Sequence, residues 1–183
     1  MPGLLEGFCV TDPEICNIMV LHGDLKADSP YNPLSPQAIA ASGLDYLALG
    51  HVHSRSEQRF GKTLCVYPGC LMGRGFDECG QKGVYLTVLE KGSCRARFLP
   101  LDVRRYEIPS VEAGENPLAA ILAALPEGTE QHCYRILLTG EAEPVNISLL
   151  AEQLVGRFYS LSLRDCTRPP QALWAAAGED SLR

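Results

Sequence analysis

Apolar and polar positions in the first part of the chain predict a strand, a helix and a second strand in succession. Residues 18–21 and 46–49 are short apolar runs of the kind found in buried strands. Between them, residues 35–43 begin with Ser-Pro and end with Gly, which is typical of a capped helix. A strand, a helix and a strand in this order favour two parallel strands in one sheet.

The pattern then changes to the alternation that is typical of antiparallel strands. Two pairs of alternating runs each flank a short turn that contains glycine and lysine, which indicates two hairpins. The four runs cover residues 57–60, 64–67, 84–90 and 94–101. We expect these strands to complete the sheet that the first two begin.

The composition changes at residues 108–117, which we interpret as a linker between two domains. The domains would then comprise residues 1–107 and 108–183. In the second, the pattern predicts two helices and two strands, and so a small α+β unit. These elements cover residues 117–125, 134–139, 146–158 and 161–166. The last residues begin a helical pattern without a terminator, so we expect this domain to be truncated.

Three of the four histidines follow the first two predicted strands. His22 ends the first strand, and His51 and His53 follow the second in the stretch DYLALGHVHS. Parallel strands end at the same edge of a sheet, so these imidazoles are expected to lie near one another. Imidazole is the commonest metal-binding side chain, which indicates a metal site. A chance pair of surface or capping histidines is the alternative, and His132 is interpreted as structural.

The carboxylates near these histidines do not complete a recognisable ligand set. The candidates are Asp24, Asp28 and Asp45. Three imidazoles could form a catalytic zinc site with one open position. The residues by themselves therefore predict a half-built metal site, and they do not identify a reaction.

Composition narrows the class of protein. The chain has 183 residues, of which 46% are hydrophobic and 21% charged, as in ordinary globular domains. It has no apolar run near the roughly 20 residues that span a bilayer, and no signal sequence, so we expect a cytoplasmic protein without a membrane partner. The net charge of −6 disfavours a broad nucleic-acid surface. The eight cysteines lack a C-x-x-C spacing and are interpreted as reduced, mostly buried thiols.

Three motifs together resemble a known family. They are LHG at 21–23, GHVH at 50–53 and YPGCLMGRGFDECGQKG at 67–83. In this order they resemble the calcineurin-like metallophosphoesterases, and within these the DNA repair exonucleases of the SbcD type. The resemblance implies a mixed α/β fold, namely part of a calcineurin-like phosphoesterase sandwich with a mixed sheet. A small α+β capping unit would follow it.

The resemblance also implies two divalent metal ions, with Mn²⁺ the expected kind, and hydrolysis of DNA phosphodiester bonds. Carried over by motif, His22 and His51 would bind one ion and His53 the other. Two such ions activate a water molecule and stabilise the charge that develops on the phosphate.

Further residues near the implied site follow from the same motifs. Gly23 and Gly50 would be structural residues that let the backbone turn beside the ions. Arg74 and Lys82, in the glycine-rich segment, would bind the substrate phosphate. The alternative is that this segment is a hairpin connection that needs glycine for its backbone angles.

The sequence departs from the family pattern in its amino-terminal motifs. D-x-H, the G-D segment with the bridging aspartate, and G-N-H-D are not found, since Gly23-Asp24 belongs to the later LHG motif. The chain looks like the C-terminal half of the enzyme, and we expect it to hold no catalytic residue and to be inactive alone. Imidazoles without carboxylates suit Zn²⁺ or Ni²⁺ better than Mn²⁺, so we expect at most one such ion here.

Several partners are compatible with this incomplete domain. An exposed sheet edge predicts self-association or pairing with the missing N-terminal half. The resemblance implies DNA and an ABC-type ATPase subunit as further partners. Two alternatives stay open: a DNA- or protein-binding module with vestigial histidines, and a metal site completed in trans by a second chain.

Overall fold

A computed structural model describes residues 3–26, 28–101 and 103–170. The chain forms two compact units. The first comprises Met1–Met72 and Gln81–Asp102, and the second comprises Gly73–Gly80 and Val103–Arg183. This division differs from the predicted domains, which met after residue 107. The identity of the units as part of a phosphoesterase and a capping domain stays a prediction.

The helices and strands of each unit follow the predicted order closely. Those of the first unit are β1 (Ile18–His22), α1 (Pro36–Ala41), β2 (Tyr46–Gly50), β3 (Ser56–Phe60), β4 (Thr63–Tyr67), β5 (Gly83–Glu90) and β6 (Ser93–Pro100). Those of the second are β7 (Tyr106–Glu107), β8 (Ser110–Glu112), α2 (Pro117–Ala124), β9 (Cys133–Thr139), α3 (Ile147–Gln153) and β10 (Ser160–Asp165).

The first unit contains a four-stranded mixed sheet in the order β1-β2-β4-β3. Strands β1, β2 and β4 are parallel, and β3 pairs with β4 in the antiparallel direction. The parallel pair expected from the sequence is therefore present. The second hairpin does not complete this sheet, because β5 and β6 form a separate two-stranded sheet. Tyr85 and Leu89 of β5 pack against the four-stranded sheet instead of joining its edge.

Strands β2 and β4 are the buried centre of this sheet, because other elements cover both of their faces. Leu47 and Leu49 of β2 pack with Ile39 of α1 on one face, while Tyr46 and Ala48 pack with the β5–β6 hairpin on the other. Side chains alternate between the faces of a strand, so the continuous apolar run can fill both cores. Each fully buried leucine contributes about 2 kcal/mol to folding.

The second unit is a small parallel sheet covered by two helices. Strands β7, β8 and β10 each pair with β9 in the parallel direction. Helix α2 connects β8 to β9, and α3 connects β9 to β10. The predicted linker at 108–117 is wrong in part, because it contains β8. Strands β7 and β8 have only two and three residues, which is too short for a periodic pattern to show.

The helices of the second unit begin where the sequence predicts. The Asn116 and Asn146 side chains each accept a backbone N–H of their own first turn at 3.1 Å, from Ala119 and Leu149 respectively. Helix α3 ends at Gln153 instead of continuing to residue 158. Gly156 has a φ of 82°, so the chain has already left the helical conformation there.

The α/β fold class with mixed and antiparallel sheets is confirmed. Among the described residues, no helix has the combination of length and apolar character that crossing a membrane requires. None of the eight cysteines, all in the described ranges, forms a disulfide. The expectation that most are buried is wrong: Cys65, Cys94 and Cys133 are buried, and the others are partly or fully exposed. The predicted final helix lies outside the described residues.

Candidate functional site

The parallel pairing of β1 and β2 brings two of the predicted histidines side by side. His22, the last residue of β1, is paired in register with Gly50, and His51 follows directly. The two imidazole rings have their centroids 5.2 Å apart and meet edge to face, with an interplanar angle of 75°. Core packing on both faces of β2 therefore determines where these imidazoles lie.

The backbone of His51 is held in an unfavourable conformation. Its φ of 107° lies in the region that residues with a Cβ rarely adopt. Such strain costs about 1–3 kcal/mol and is found mostly at functional sites. Two side chains flank the His51 imidazole. The Asp24 Oδ2 atom lies 3.9 Å from Nε2, and the Tyr31 ring lies 5.0 Å away, centroid to centroid, with a tilt of 36°.

Hydrogen bonds hold the loop between β1 and α1 next to these histidines. The Asp24 N–H donates to the Asn32 carbonyl at 3.1 Å, and the Leu34 N–H donates to the Asp24 carbonyl at 2.8 Å. The Asn32 side chain donates its Nδ2–H to the His22 carbonyl at 2.8 Å. The loop therefore places Tyr31 on His51 and fixes the backbone of His22.

Tyr67 of β4 contacts the backbone just after His22. Its hydroxyl donates to the Gly23 carbonyl at 2.7 Å, and its side chain is buried. Burial raises the pKa of Tyr67, so the phenol remains protonated and able to donate at neutral pH. Tyr67 thus orients the residue that follows His22.

His53 and the two predicted phosphate-binding residues are placed differently. His53 is exposed, and its carbonyl accepts a hydrogen bond from Lys82 Nζ at 3.5 Å, so Lys82 lies beside the histidine segment. Arg74 belongs to the second unit, where its backbone N–H donates to Glu78 Oε2 at 2.9 Å. Its guanidinium is 3.5 Å from Glu78 Oε1, and its side chain is 77% exposed.

The described residues do not form a complete metal site. In residues 3–26, 28–101 and 103–170, no group of three or more His, Cys, Asp or Glu side chains is placed to hold one ion. His22 and His51 lie side by side with ring centroids 5.2 Å apart, and the Asp24 carboxylate lies 3.9 Å from His51. These two nitrogen donors suit Zn²⁺ or Ni²⁺ better than Mn²⁺. The assignment of His22, His51 and His53 as ligands stays a prediction.

Neighbouring residues that could have completed the ligand set do not do so. Asp45 precedes β2, so it lies at the opposite end of that strand from His51, roughly 20 Å away at about 3.3 Å per residue. Asp28 is exposed in the loop before α1. Cys65 is buried in the core beneath α1, and burial raises the pKa of its thiol to about 12.

Sequence reasoning missed three residues that organise this site: Tyr31, Asn32 and Tyr67. Tyr67 opens the motif at 67–83, but that motif does not show that its side chain reaches Gly23. Tyr31 and Asn32 lie in the loop after His22, where no pattern links them to the histidines. The one local signal is the residue type at position 32. Asparagine tolerates the left-handed region, and the φ of Asn32 is 47°.

We predict that Gly23→Ala destabilises the protein, whereas Gly50→Ala has little effect on its stability. A Cβ at Gly50 would lie 3.0 Å from Nδ1 of His22, a side chain that can rotate away. A Cβ at Gly23 would lie 2.7 Å from the backbone oxygen of Asn32, which cannot move without displacing the loop. Chemical denaturation should therefore show Gly50→Ala within about 0.5 kcal/mol of the parent protein and Gly23→Ala destabilised by about 1–3 kcal/mol.

NMR spectra of the histidine rings provide the second measurement. Gly50→Ala should shift the resonances of the His22 ring while leaving those of His132 unchanged. Equal destabilisation by the two substitutions would show that the site does not have the described packing.

The chain is similar to a known protein over most of its length. It is 30% identical over 137 residues to the uncharacterized metallophosphoesterase YhaO of Bacillus subtilis (strain 168). The match covers 69% of this chain and 34% of YhaO, so the chain spans about a third of the length of this relative. No protein-family model matches the chain.

Proposed function

We propose, because the similarity to YhaO supports the metallophosphoesterase superfamily, that the chain is part of a metal-dependent phosphoesterase that cleaves DNA. The finer assignment, a DNA repair exonuclease of the SbcD type, is supported by the motifs LHG, GHVH and YPGCLMGRGFDECGQKG. The same resemblance supports two divalent ions, with Mn²⁺ the expected kind, and an ABC-type ATPase subunit as a partner. The absence of disulfides among the described cysteines is compatible with action in the cytoplasm.

The observation that carries the proposal is the juxtaposition of His22 and His51. They lie at the carboxyl ends of neighbouring parallel strands, with ring centroids 5.2 Å apart. The strained φ of 107° at His51 is maintained although a relaxed backbone would be more stable. An arrangement that only stabilised the fold would not require this strain.

The rest of the metal site would come from outside this chain. Strand β1 lies at the edge of its sheet, and no described strand pairs with its outer side. Ile18 and Val20 of β1 are 53% and 80% exposed, and they alternate with the residues that pack in the core. An open strand edge with exposed apolar side chains is suited to pairing with another segment. That segment would belong to the rest of the protein or to a second chain.

In the complete site, each residue of this chain would have a limited role. Divalent ions bound there would supply a water molecule of lowered pKa and neutralise charge on the phosphate. His22 and His51 would bind through the nitrogen lone pairs of neutral imidazoles. Asn32 and Tyr67 would hold the backbone on either side of the His22–Gly23 bond. Lys82 would approach the substrate phosphate from beside His53.

A chimera with YhaO tests this proposal. The region of YhaO that this chain matches would be replaced by the whole chain. The chimera and YhaO would then be assayed with bis(p-nitrophenyl) phosphate and with end-labelled DNA, each with Mn²⁺, Mg²⁺ or Zn²⁺. We expect metal-dependent cleavage of both substrates. A folded chimera that cleaves neither, while YhaO cleaves them, would refute the proposal, and cleavage of the small ester alone would refute DNA as the substrate.

The isolated chain provides a second test of the same proposal. Calorimetric titration should detect fewer than two tightly bound Mn²⁺ ions per chain, because no three ligating side chains lie together among the described residues. Two tight Mn²⁺ ions per monomer would show that this chain contains a complete site.

A non-catalytic binding module is the second candidate. It is favoured by the lack of a three-ligand group among the described residues. In that case, a variant with alanine at His22, His51 and His53 would retain its affinity for DNA or a partner protein. If the variant lost both that affinity and its metal binding, the phosphoesterase would be favoured instead.

A further inference from the structure

The second unit contains a groove that the proposed phosphoesterase reaction does not use. It has a volume of about 570 Å³ and lies between the amino-terminal ends of α2 and α3 and the segment after β9. Its apolar wall includes Pro117, Leu118, Pro144, Val145 and Leu149. The volume lies within the range of about 300–1,000 Å³ that is usual for binding sites.

The position of the groove follows from the topology of the unit. The lining segments at 114–118 and 141–146 follow the carboxyl ends of β8 and β9. Loops at this edge of a parallel sheet commonly bind ligands, because the chain turns away from the sheet there. The wall is also accessible, since Leu149 is 52% exposed although it is apolar.

The charge around the groove is of one sign. Glu115, Glu141 and Glu143 line it and are exposed, and the described residues of its lining include no Lys, Arg or His. A phosphate or nucleic-acid ligand would be repelled by three carboxylates. At the helix ends, the Asn116 and Asn146 side chains each already accept one N–H group of the first turn.

We propose that this groove binds an extended segment of a partner protein that carries an apolar side chain next to Lys or Arg. The apolar side chain would lie against Leu118, Val145 and Leu149, where it would be removed from water. The adjacent cation would face the three glutamates, which supply attraction and discriminate against acidic segments. The proposal does not involve His22, His51 or a metal, so it stands or falls independently of the proposed function.

Selection from a randomised octapeptide library on the immobilised full chain tests the proposal. We expect the selected peptides to contain Leu, Ile, Phe, Met or Trp beside Lys or Arg. Their affinities would then be measured by fluorescence anisotropy. Replacing Glu115, Glu141 and Glu143 together with Gln should weaken binding at least about tenfold, since each exposed charge pair contributes a small increment. Leu149→Arg should abolish binding by placing a cation against the apolar wall.

A matched variant and a fold check distinguish the groove from general surface charge. The matched variant replaces three exposed glutamates of the same unit that do not line the groove with Gln, namely Glu127, Glu130 and Glu152. This variant should keep its affinity within about twofold of the parent. Circular dichroism should show that each variant remains folded. Equal weakening by both triple variants, or selection of acidic or wholly apolar peptides, would overturn the proposal. A dimer that is lost in Leu149→Arg would also overturn it, because the occupant would be a second copy of this chain.

Discussion

Replacement of His51 by alanine is expected to lower metal-dependent hydrolysis by the YhaO chimera by more than about 100-fold. Removal of a residue that merely orients a metal ligand costs about 10–100-fold, so loss of a ligand should cost more. His22→Ala should have a similar effect, because the two rings lie 5.2 Å apart and would share one ion. Steady-state hydrolysis of bis(p-nitrophenyl) phosphate at saturating metal is the measurement.

His132→Ala is the matched control for this loss of activity. His132 lies in the second unit, where its Nδ1 accepts the Arg105 backbone N–H at 3.2 Å. Its removal should leave the hydrolysis rate of the folded chimera within about twofold of the parent, because His132 belongs to the second unit and not to the unit that contains His22 and His51. Full activity of His51→Ala would contradict the ligand role, whatever the fold of the chimera.

His51→Gly separates the catalytic role of this residue from its structural role. Glycine adopts a φ of 107° without strain, whereas alanine retains most of the strain of histidine. We therefore expect His51→Gly to be more stable than His51→Ala by about 1 kcal/mol in chemical denaturation. Both variants should be inactive. A glycine variant that is no more stable would show that the backbone at residue 51 is not strained.

The sequence was sufficient to predict that His22 and His51 lie close together, because the prediction depended on a local rule. Two short apolar runs with a capped helix between them favour parallel strands, and parallel strands end at one edge. The helix starts at Asn116 and Asn146 were predictable for the same reason, since a cap involves only neighbouring residues. Local patterns therefore predicted both the edge that carries the histidines and the elements that build it.

Contacts between distant segments were not predictable. Asn32 reaches His22, and Tyr67 reaches Gly23, across 10 and 44 positions of sequence. The β5–β6 hairpin has the alternation of a sheet strand, yet that pattern does not say whether it joins a sheet or covers one. The arrangement that orients the histidines thus depends on tertiary packing, which a single sequence does not display.

Asp45→Asn is expected to destabilise the first unit by about 2–3 kcal/mol at pH 7. The Asp45 carboxylate is 1% exposed and accepts the Asn17 N–H at 2.9 Å and Lys91 Nζ at 3.1 Å. Lys62 lies 3.7 Å away. The asparagine amide can accept at only one of its two positions and removes the negative charge. The cost stays below that of breaking a fully buried pair, because both lysines are partly exposed and can return to water.

The pH dependence gives this prediction its sharpest form. Burial by itself would raise the pKa of the Asp45 carboxyl, but the hydrogen bonds from Asn17, Lys91 and Gly92 outweigh burial and hold the pKa below its usual value. A carboxyl with a lowered pKa in the folded state stabilises the fold above its unfolded pKa of about 3.9, and this stabilisation is lost as the pH falls through the folded value. The difference in unfolding free energy between the parent and Asp45→Asn should therefore be constant from pH 5 to 7 and decrease below about pH 4.

Asp12→Asn, at an exposed carboxylate, should change stability by less than about 0.5 kcal/mol throughout. A difference that grows as the pH falls would mean that the carboxyl is held by its protonated form, and the described network around Asp45 would then be wrong.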